Sequence, residues 1–249
     1  MAGYSMQESF RSQVGWYYCC VDLAELKKEY LIAQELGIDS SYGRILTIVD
    51  FGNVDYWFED DRQDADNTAL PDDEKLVVDL QKLKDFAMLF SDHVRFYYGH
   101  DPQNDSLRFI VAAKHIFGKN RVFTKPIQKV RHHLRADEIL VNTRATFSDS
   151  EGIYIQLPKC NFDVEMTVDA IRLTEHYDTL ALFSSDADFV SLARYLRKNG
   201  KKVILFKGGH ITSDLRRESD KVVNAQNIKR HIVQLKKRKP GTRPGSANR

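Results

Sequence analysis

Residues 184–189 read Ser-Ser-Asp-Ala-Asp-Phe and follow the apolar run Thr-Leu-Ala-Leu-Phe at 179–183. Asp186 and Asp188 therefore stand two residues apart, where a buried segment ends and a helical pattern begins. Neighbouring carboxylates repel, and burying them without a counter-charge is costly. A divalent cation removes that cost. Two further aspartates occupy similar junctions: Asp50 closes the run Ile-Leu-Thr-Ile-Val at 45–49, and Asp163 opens a helical stretch. Asn53, three residues after Asp50, can hydrogen-bond a carboxylate or a phosphate. Asp169 lies six residues beyond Asp163, at the margin of such a site or facing solvent. Mg2+ and Mn2+ prefer oxygen ligands: a few carboxylates, waters and substrate phosphate oxygens. An ion so held acidifies a bound water and neutralises charge on a phosphodiester, without any covalent nucleophile. Each aspartate alone is also an ordinary turn or cap residue. Their joint occurrence is what favours a metal.

The elements that must position these residues alternate between strand and helix. Residues 44–53 form a β-branched run, the mark of a strand buried on both faces. Residues 72–92 read as one amphipathic helix behind Pro71, with Asp72, Asp73 and Glu74 at its positive end. Strands follow at 93–99 and 121–127, flanking a helix over 104–118. Residues 128–158 carry no clear pattern beyond a strand at 153–157. A helix over 163–176, a strand over 178–185, a helix over 188–200 and a strand over 201–208 come next. A last helix is expected over 212–224, capped by Ser213. Such alternation predicts an α/β fold: a mostly parallel sheet with helices on both faces, a three-layer α/β/α sandwich. Ligands of such sheets bind beyond the carboxyl ends of the strands, where strand order switches direction.

Around this core, residues 21–37 have a helical apolar rhythm, and residues 1–43 are read as a helical N-terminal extension. Residues 44–227 form the main domain and 228–249 a basic tail. The tail carries Lys229, Arg230, Lys236, Lys237, Arg238, Lys239, Arg243 and Arg249 and no acid, whereas residues 55–66 are strongly acidic, in a chain of net charge only +2. That asymmetry suggests a polyanionic partner for the tail, or simply a solvated end. The composition, 42% hydrophobic and 29% charged, is that of an ordinary globular chain. No apolar run reaches the roughly 20 residues of a membrane helix, and no signal-peptide pattern opens the sequence, so no membrane partner and a cytoplasmic location are expected. Cys19, Cys20 and Cys160 lack zinc-site spacing and are expected to be reduced thiols. The aromatic Gly-Trp-Tyr-Tyr-Cys-Cys at 15–20 suggests a buried contact, which leaves a homo-oligomer among the expected partners.

Four segments, taken in order, resemble the NYN domain family. Ile-Leu-Thr-Ile-Val-Asp-Phe-Gly-Asn at 45–53 resembles its opening strand with Asp, two residues and Asn. Residues 162–172 resemble its internal helix start, and residues 180–206 its Ser-Gly-Asp-x-Asp-Phe segment with the following helix, glycine and strand. Residues 213–223 resemble its closing helix. Ser185 stands where many members have glycine, and Lys-Cys-Asn-Phe-Asp at 159–163 is one residue longer than the usual Lys-Gly-x-Asp. The resemblance implies a PIN-like nuclease fold and metal-dependent ribonuclease activity. It implies metal-site and catalytic roles for Asp50, Asp163, Asp186 and Asp188, supported by Asn53, with Ser184 shaping the loop and Asp169 in second rank.

RNA as partner requires phosphate-binding cations. The tail, Lys207 after the last long strand, and Arg131 to Arg135 are the candidates, with Asn53 and Ser184 beside them on the substrate side. His132 and His133 fit a surface loop better than proton transfer. Tyr56 and Trp57, just past Asp50, are candidates for stacking on bases, whereas Phe96 and Tyr97 read as core. The expected activity is that of an endoribonuclease using Mg2+ or Mn2+. A non-catalytic RNA-binding scaffold of the same fold is the alternative. A nucleotide-sugar transferase built on the Asp-x-Asp pair accounts for neither Asp50 nor the tail.

Overall fold

The computed structural model describes residues 23–101, 106–134 and 146–238. The chain runs α1 (Leu23–Tyr30), β1 (Ile45–Asp50), α2 (Phe51–Val54), β2 (Glu74–Val78), α3 (Leu80–Ala87), β3 (His93–His100), α4 (Ser106–Phe117) and β4 (Val122–Pro126). It continues through β5 (Gln128–His133), β6 (Thr146–Asp149), β7 (Gly152–Lys159), α5 (Asp163–Arg172), β8 (Thr179–Phe183) and α6 (Val190–Lys198). It closes with β9 (Lys202–Lys207), α7 (Ser213–Arg217), β10 (Lys221–Asn224), α8 (Ala225–Ile232) and β11 (Val233–Lys237).

Six strands form the central sheet in the order β10-β9-β8-β1-β3-β4, every neighbouring pair parallel. The chain leaves β1 toward β3 and β4 on one side and returns at β8 to build the other. The switch in direction thus falls between β1 and β8, the two strands that Asp50 and the Asp186 loop terminate. Side chains alternate across each strand. Val49, Ala181, Phe183, Ile204 and Phe206 face a core shared with Leu83, Phe86, Phe117, Ile228 and Ile232 of α3, α4 and α8. Leu46, Ile48, Leu180, Leu182 and Leu205 face a second core with Met166, Leu192, Leu196 and Leu215 of α5, α6 and α7. The three-layer α/β/α sandwich expected from the alternation is therefore the fold observed. Among the described residues, no helix is long and apolar enough to cross a membrane.

The structure departs from the sequence reading in three places. Residues 72–92 are not one helix: β2 occupies Glu74–Val78, and α3 starts anew behind Asp79, whose carboxylate accepts from the Lys82 amide. The final predicted helix is only α7, capped by Thr212 rather than Ser213, and residues 221–224 instead add β10 to the sheet edge. The unpatterned middle folds as a separate antiparallel sheet, β5-β7-β6.

The basic segment from Ile228 is structured as far as Arg238. α8 and β11 pack back on the body, and β11 pairs antiparallel with β2. The opposed charges find each other within the chain: Lys229 Nζ lies 2.7 Å from Asp61 Oδ2 and donates to the Gln63 carbonyl. Arg230 pairs with Asp66 at 2.7 Å. The acid–base asymmetry thus has an internal use. Cys19, Cys20, Arg135, Lys239, Arg243, Arg249 and the aromatic stretch 15–20 lie outside the described residues.

Candidate metal centre

Asp50 has the same parity in β1 as Leu46 and Ile48, so its side chain turns to the sheet face that α5 covers. Asp163 is the first residue of α5, on that face. Asp186 and Asp188 lie on the 3-10 turn between β8 and α6, with the Asp186 carboxylate accepting from the Asp188 amide at 3.0 Å. Asp163, Asp186 and Asp188 each present a carboxylate oxygen such that all three lie within 4.8 Å of one another. Asp50 is outside this close trio but beside it, within electrostatic reach of Asp163 and Asp186.

Electrostatics mark the cluster as short of positive charge. Burial, reinforced by the charges of Asp163 and Asp186, pushes the Asp50 carboxyl up to about 6, although the Ser184 hydroxyl and Asn53 amide oppose the rise. Burial also raises Asp163, aided by Asp186 and Asp188. Asp163 Oδ2 is buried and has no hydrogen-bond partner among the described residues. A buried, unpartnered carboxylate oxygen beside two more carboxylates fits a hard divalent cation such as Mg2+ or Mn2+.

The residues around the cluster are tied to one another. Ser184 is fully buried; its hydroxyl donates to Asp50 Oδ2 at 3.1 Å and accepts from the Asp186 amide at 3.2 Å. Asn53 Oδ1 accepts from the Ser185 amide at 3.1 Å and from Trp57 Nε1 at 2.9 Å. The sequence reading gave Ser184 a loop-shaping role and Asn53 a supporting one, both also on the substrate side; in the structure their side-chain oxygens hold the loop on β1, satisfying amides of the loop that presents the carboxylates. Ser185 adds a second clamp: its hydroxyl donates to the Gly208 carbonyl at 2.6 Å and accepts from the Gly208 amide at 3.1 Å. Gly208 is required there, since a Cβ would collide with the Trp57 ring. Trp57 is half-buried, parallel to Phe183 with centroids 6.1 Å apart, so it packs the loop rather than offering a face to a base. Tyr56 is 65% exposed and keeps that option. Lys207 ends β9 at this sheet edge, its ammonium on the Gly209 carbonyl.

Asp169 is not at the cluster. Its carboxylate accepts from the Tyr97 hydroxyl and from Arg95 at 2.8 Å, and Arg95 lies over the Phe123 ring. This half-buried group ties α5 to β3. Sequence reading missed it because its members come from two distant segments. Arg131 and His133 are on β5, not in a loop, and both meet Asp149.

The sheet order and the two helical layers define a three-layer α/β/α protein with an acidic edge, and the chain belongs to the NYN domain family, whose model matches residues 63–226. The matched stretch includes Asp163, Asp186 and Asp188 and begins after Asp50. A curated relative, the low amplitude and bright protein LabA of Synechococcus elongatus, is 29% identical over 95 residues, 38% of this chain and 51% of that protein. The chain thus spans about half the length of this relative. A crystal structure of a protein of unknown function from Vibrio parahaemolyticus aligns with a TM-score of 0.49 and 20% identity, covering 77% of this chain and 96% of that one.

Proposed function

We propose that the chain is a metal-dependent endoribonuclease in which Asp50, Asp163, Asp186 and Asp188 hold Mg2+ or Mn2+. The observation that carries this reading is the trio of carboxylates within 4.8 Å, one of them with a buried oxygen that has no hydrogen-bond partner among the described residues. Membership of a family of nuclease type, and the position of the trio at the switch point of the sheet, support it. An ion bound there supplies an acidified water and neutralises charge on the phosphodiester. The chain's own residues do the rest. Ser184 and Asn53 fix the direction of Asp50 and of the 184–188 loop. Asp50, held by the Ser184 hydroxyl and the Asn53 amide, would add a fourth carboxylate beside the trio. Lys207, at the same edge, attracts phosphate, and Tyr56 is free to stack on a base.

The test is cleavage of an end-labelled, mixed-sequence single-stranded RNA by the wild type and Asp186→Asn, with Mg2+, with Mn2+ and with chelator. Cleavage that requires metal and disappears in the variant is expected. Metal-independent cleavage, or cleavage retained by the variant, refutes the proposal. Tight binding without cleavage would return the chain to the RNA-binding scaffold alternative.

A further inference from the structure

The three-stranded sheet β5-β7-β6 is not part of the central sheet, yet it is joined to the acidic edge at both ends. β5 leaves directly from the carboxyl end of β4, and the Ile127 amide between them bonds to the His100 carbonyl. β7 ends at Lys159, and only three residues separate it from Asp163. Parallel strands share one carboxyl edge, so this small sheet stands at the edge that carries Asp50 and Asp163.

One face of it bears a ladder of rings. Phe147 of β6 and Tyr154 of β7 are cross-strand partners, nearly parallel, with centroids 5.6 Å apart. His133 of β5 is the partner of Tyr154 on the other side, at 5.4 Å, and the Arg131 guanidinium lies over the Tyr154 ring at 5.0 Å. Tyr154 is covered, but Phe147 is 43% exposed and Arg131 open to solvent. Asp149 holds both Arg131 and His133 from the side, which fixes the guanidinium in place. β5 carries Lys129, Arg131, His132 and His133 and no acid. An exposed ring and a held guanidinium, on the two strands that flank Tyr154, suit an unpaired base and a phosphate of the same single strand, whereas a duplex keeps its base faces stacked inside. The aspartate cluster itself repels phosphate, so a polyanionic chain must be held by groups outside it; Tyr154 lies five residues back along β7 from Lys159, the end that leads to the cluster.

We infer that this sheet is the docking surface for single-stranded RNA, with Phe147 stacking on a base and Arg131 contacting the adjoining phosphate. The inference rests on the ribonuclease reading for the identity of the polymer. The test is fluorescence anisotropy in chelator, with Asp186→Asn as the parent so that no RNA is consumed. The probes are a labelled 12-nucleotide RNA and the same strand in a blunt duplex. Phe147→Ala and Arg131→Ala are each expected to weaken binding of the single strand by roughly 5- to 150-fold. Phe147→Trp is expected to bind like the parent. Arg131→Ala lowers the slope of log K against log salt by about 0.7, and Phe147→Ala leaves it unchanged. A merely structural lesion would not divide in that way, and circular dichroism melts check that the variants fold. If the parent binds the single strand and both variants bind it equally, the docking surface is wrong while the RNA reading stands. Preference for the duplex also overturns the inference. Absence of any RNA binding by the parent overturns both.

Discussion

Replacing Asp50 with asparagine should stabilise the metal-free protein. In the folded chain the Asp50 carboxyl is raised from 3.8 to about 6, first by burial and then by Asp163 and Asp186. A carboxyl whose folded value lies above its unfolded one favours the folded state only when protonated. The penalty is absent well below pH 3.8, grows between 3.8 and 6, and is complete above 6. A rise of that size at 1.36 kcal/mol per pH unit gives about 3 kcal/mol at pH 7.5, falling to about 1 kcal/mol at pH 4.5. Asparagine keeps an acceptor for Ser184 or for the Asn53 amide, so most of that difference should survive. Urea unfolding in EDTA at both pH values measures it, taken as variant minus wild type so that other titrating groups cancel. Asp50→Asn is expected to be more stable by about 2–3 kcal/mol at pH 7.5 and by about 1 kcal/mol at pH 4.5. An equal advantage at both pH values, or none at pH 7.5, refutes the electrostatic account. Adding Mn2+ should reverse the order, because an ion bound only by the folded state stabilises by mass action, and the wild type has the fuller ligand set.

Three further outcomes follow from contacts around the site and the body. Asn53→Ala removes the acceptor shared by Trp57 and Ser185; a loss of about 2 kcal/mol in urea unfolding is expected, with faster amide exchange at Ser185. Gly208→Ala forces the Trp57 ring aside, with an expected cost of about 1–3 kcal/mol and a red shift in tryptophan emission; an unchanged spectrum and melting curve would show the packing to be loose. Lys229→Met strands Asp61 without its buried counter-ion and should cost about 3 kcal/mol by thermal melt, whereas Arg230→Met, at an exposed pair, should cost under about 1 kcal/mol.

What could be read in the sequence was what local pattern determines. β1, β8 and β9 are continuous apolar runs because both faces are covered, and the four aspartates were visible as the residues that end such runs or open the next helix. What escaped reading depends on partners far along the chain. Residues 74–87 keep a helical apolar spacing throughout, yet Glu74–Val78 is a strand because β11 lies beside it. Asp79 was the available clue, a cap residue within an apparently unbroken helix. Residues 221–224 are too short to show a period and become a strand by pairing with β9. β5 has a strongly polar sequence and is held by β7 rather than by any burial of its own. In the site, aspartate positions were legible, but the work of Ser185, Trp57 and Gly208 was not, because nothing in spacing reveals a clamp between three loops.

The pairing of β2 with β11, and of the acidic segment with α8, bears on the order in which the chain can mature. Gln63 and Lys229 are 166 positions apart. At synthesis rates of roughly 5–20 residues per second, β2 waits about ten to thirty seconds for its partner. For that interval Leu76 and Val78 form an unpaired apolar strand, the kind of segment that draws nascent chains into aggregates. Asp60, Asp61, Asp64 and Asp66 lie ahead of it, and Asp61 and Asp66 meet their counter-ions only when Lys229 and Arg230 arrive. Until α8 is made, repulsion between the acidic stretches of two chains opposes the pairing of one unpaired β2 with another.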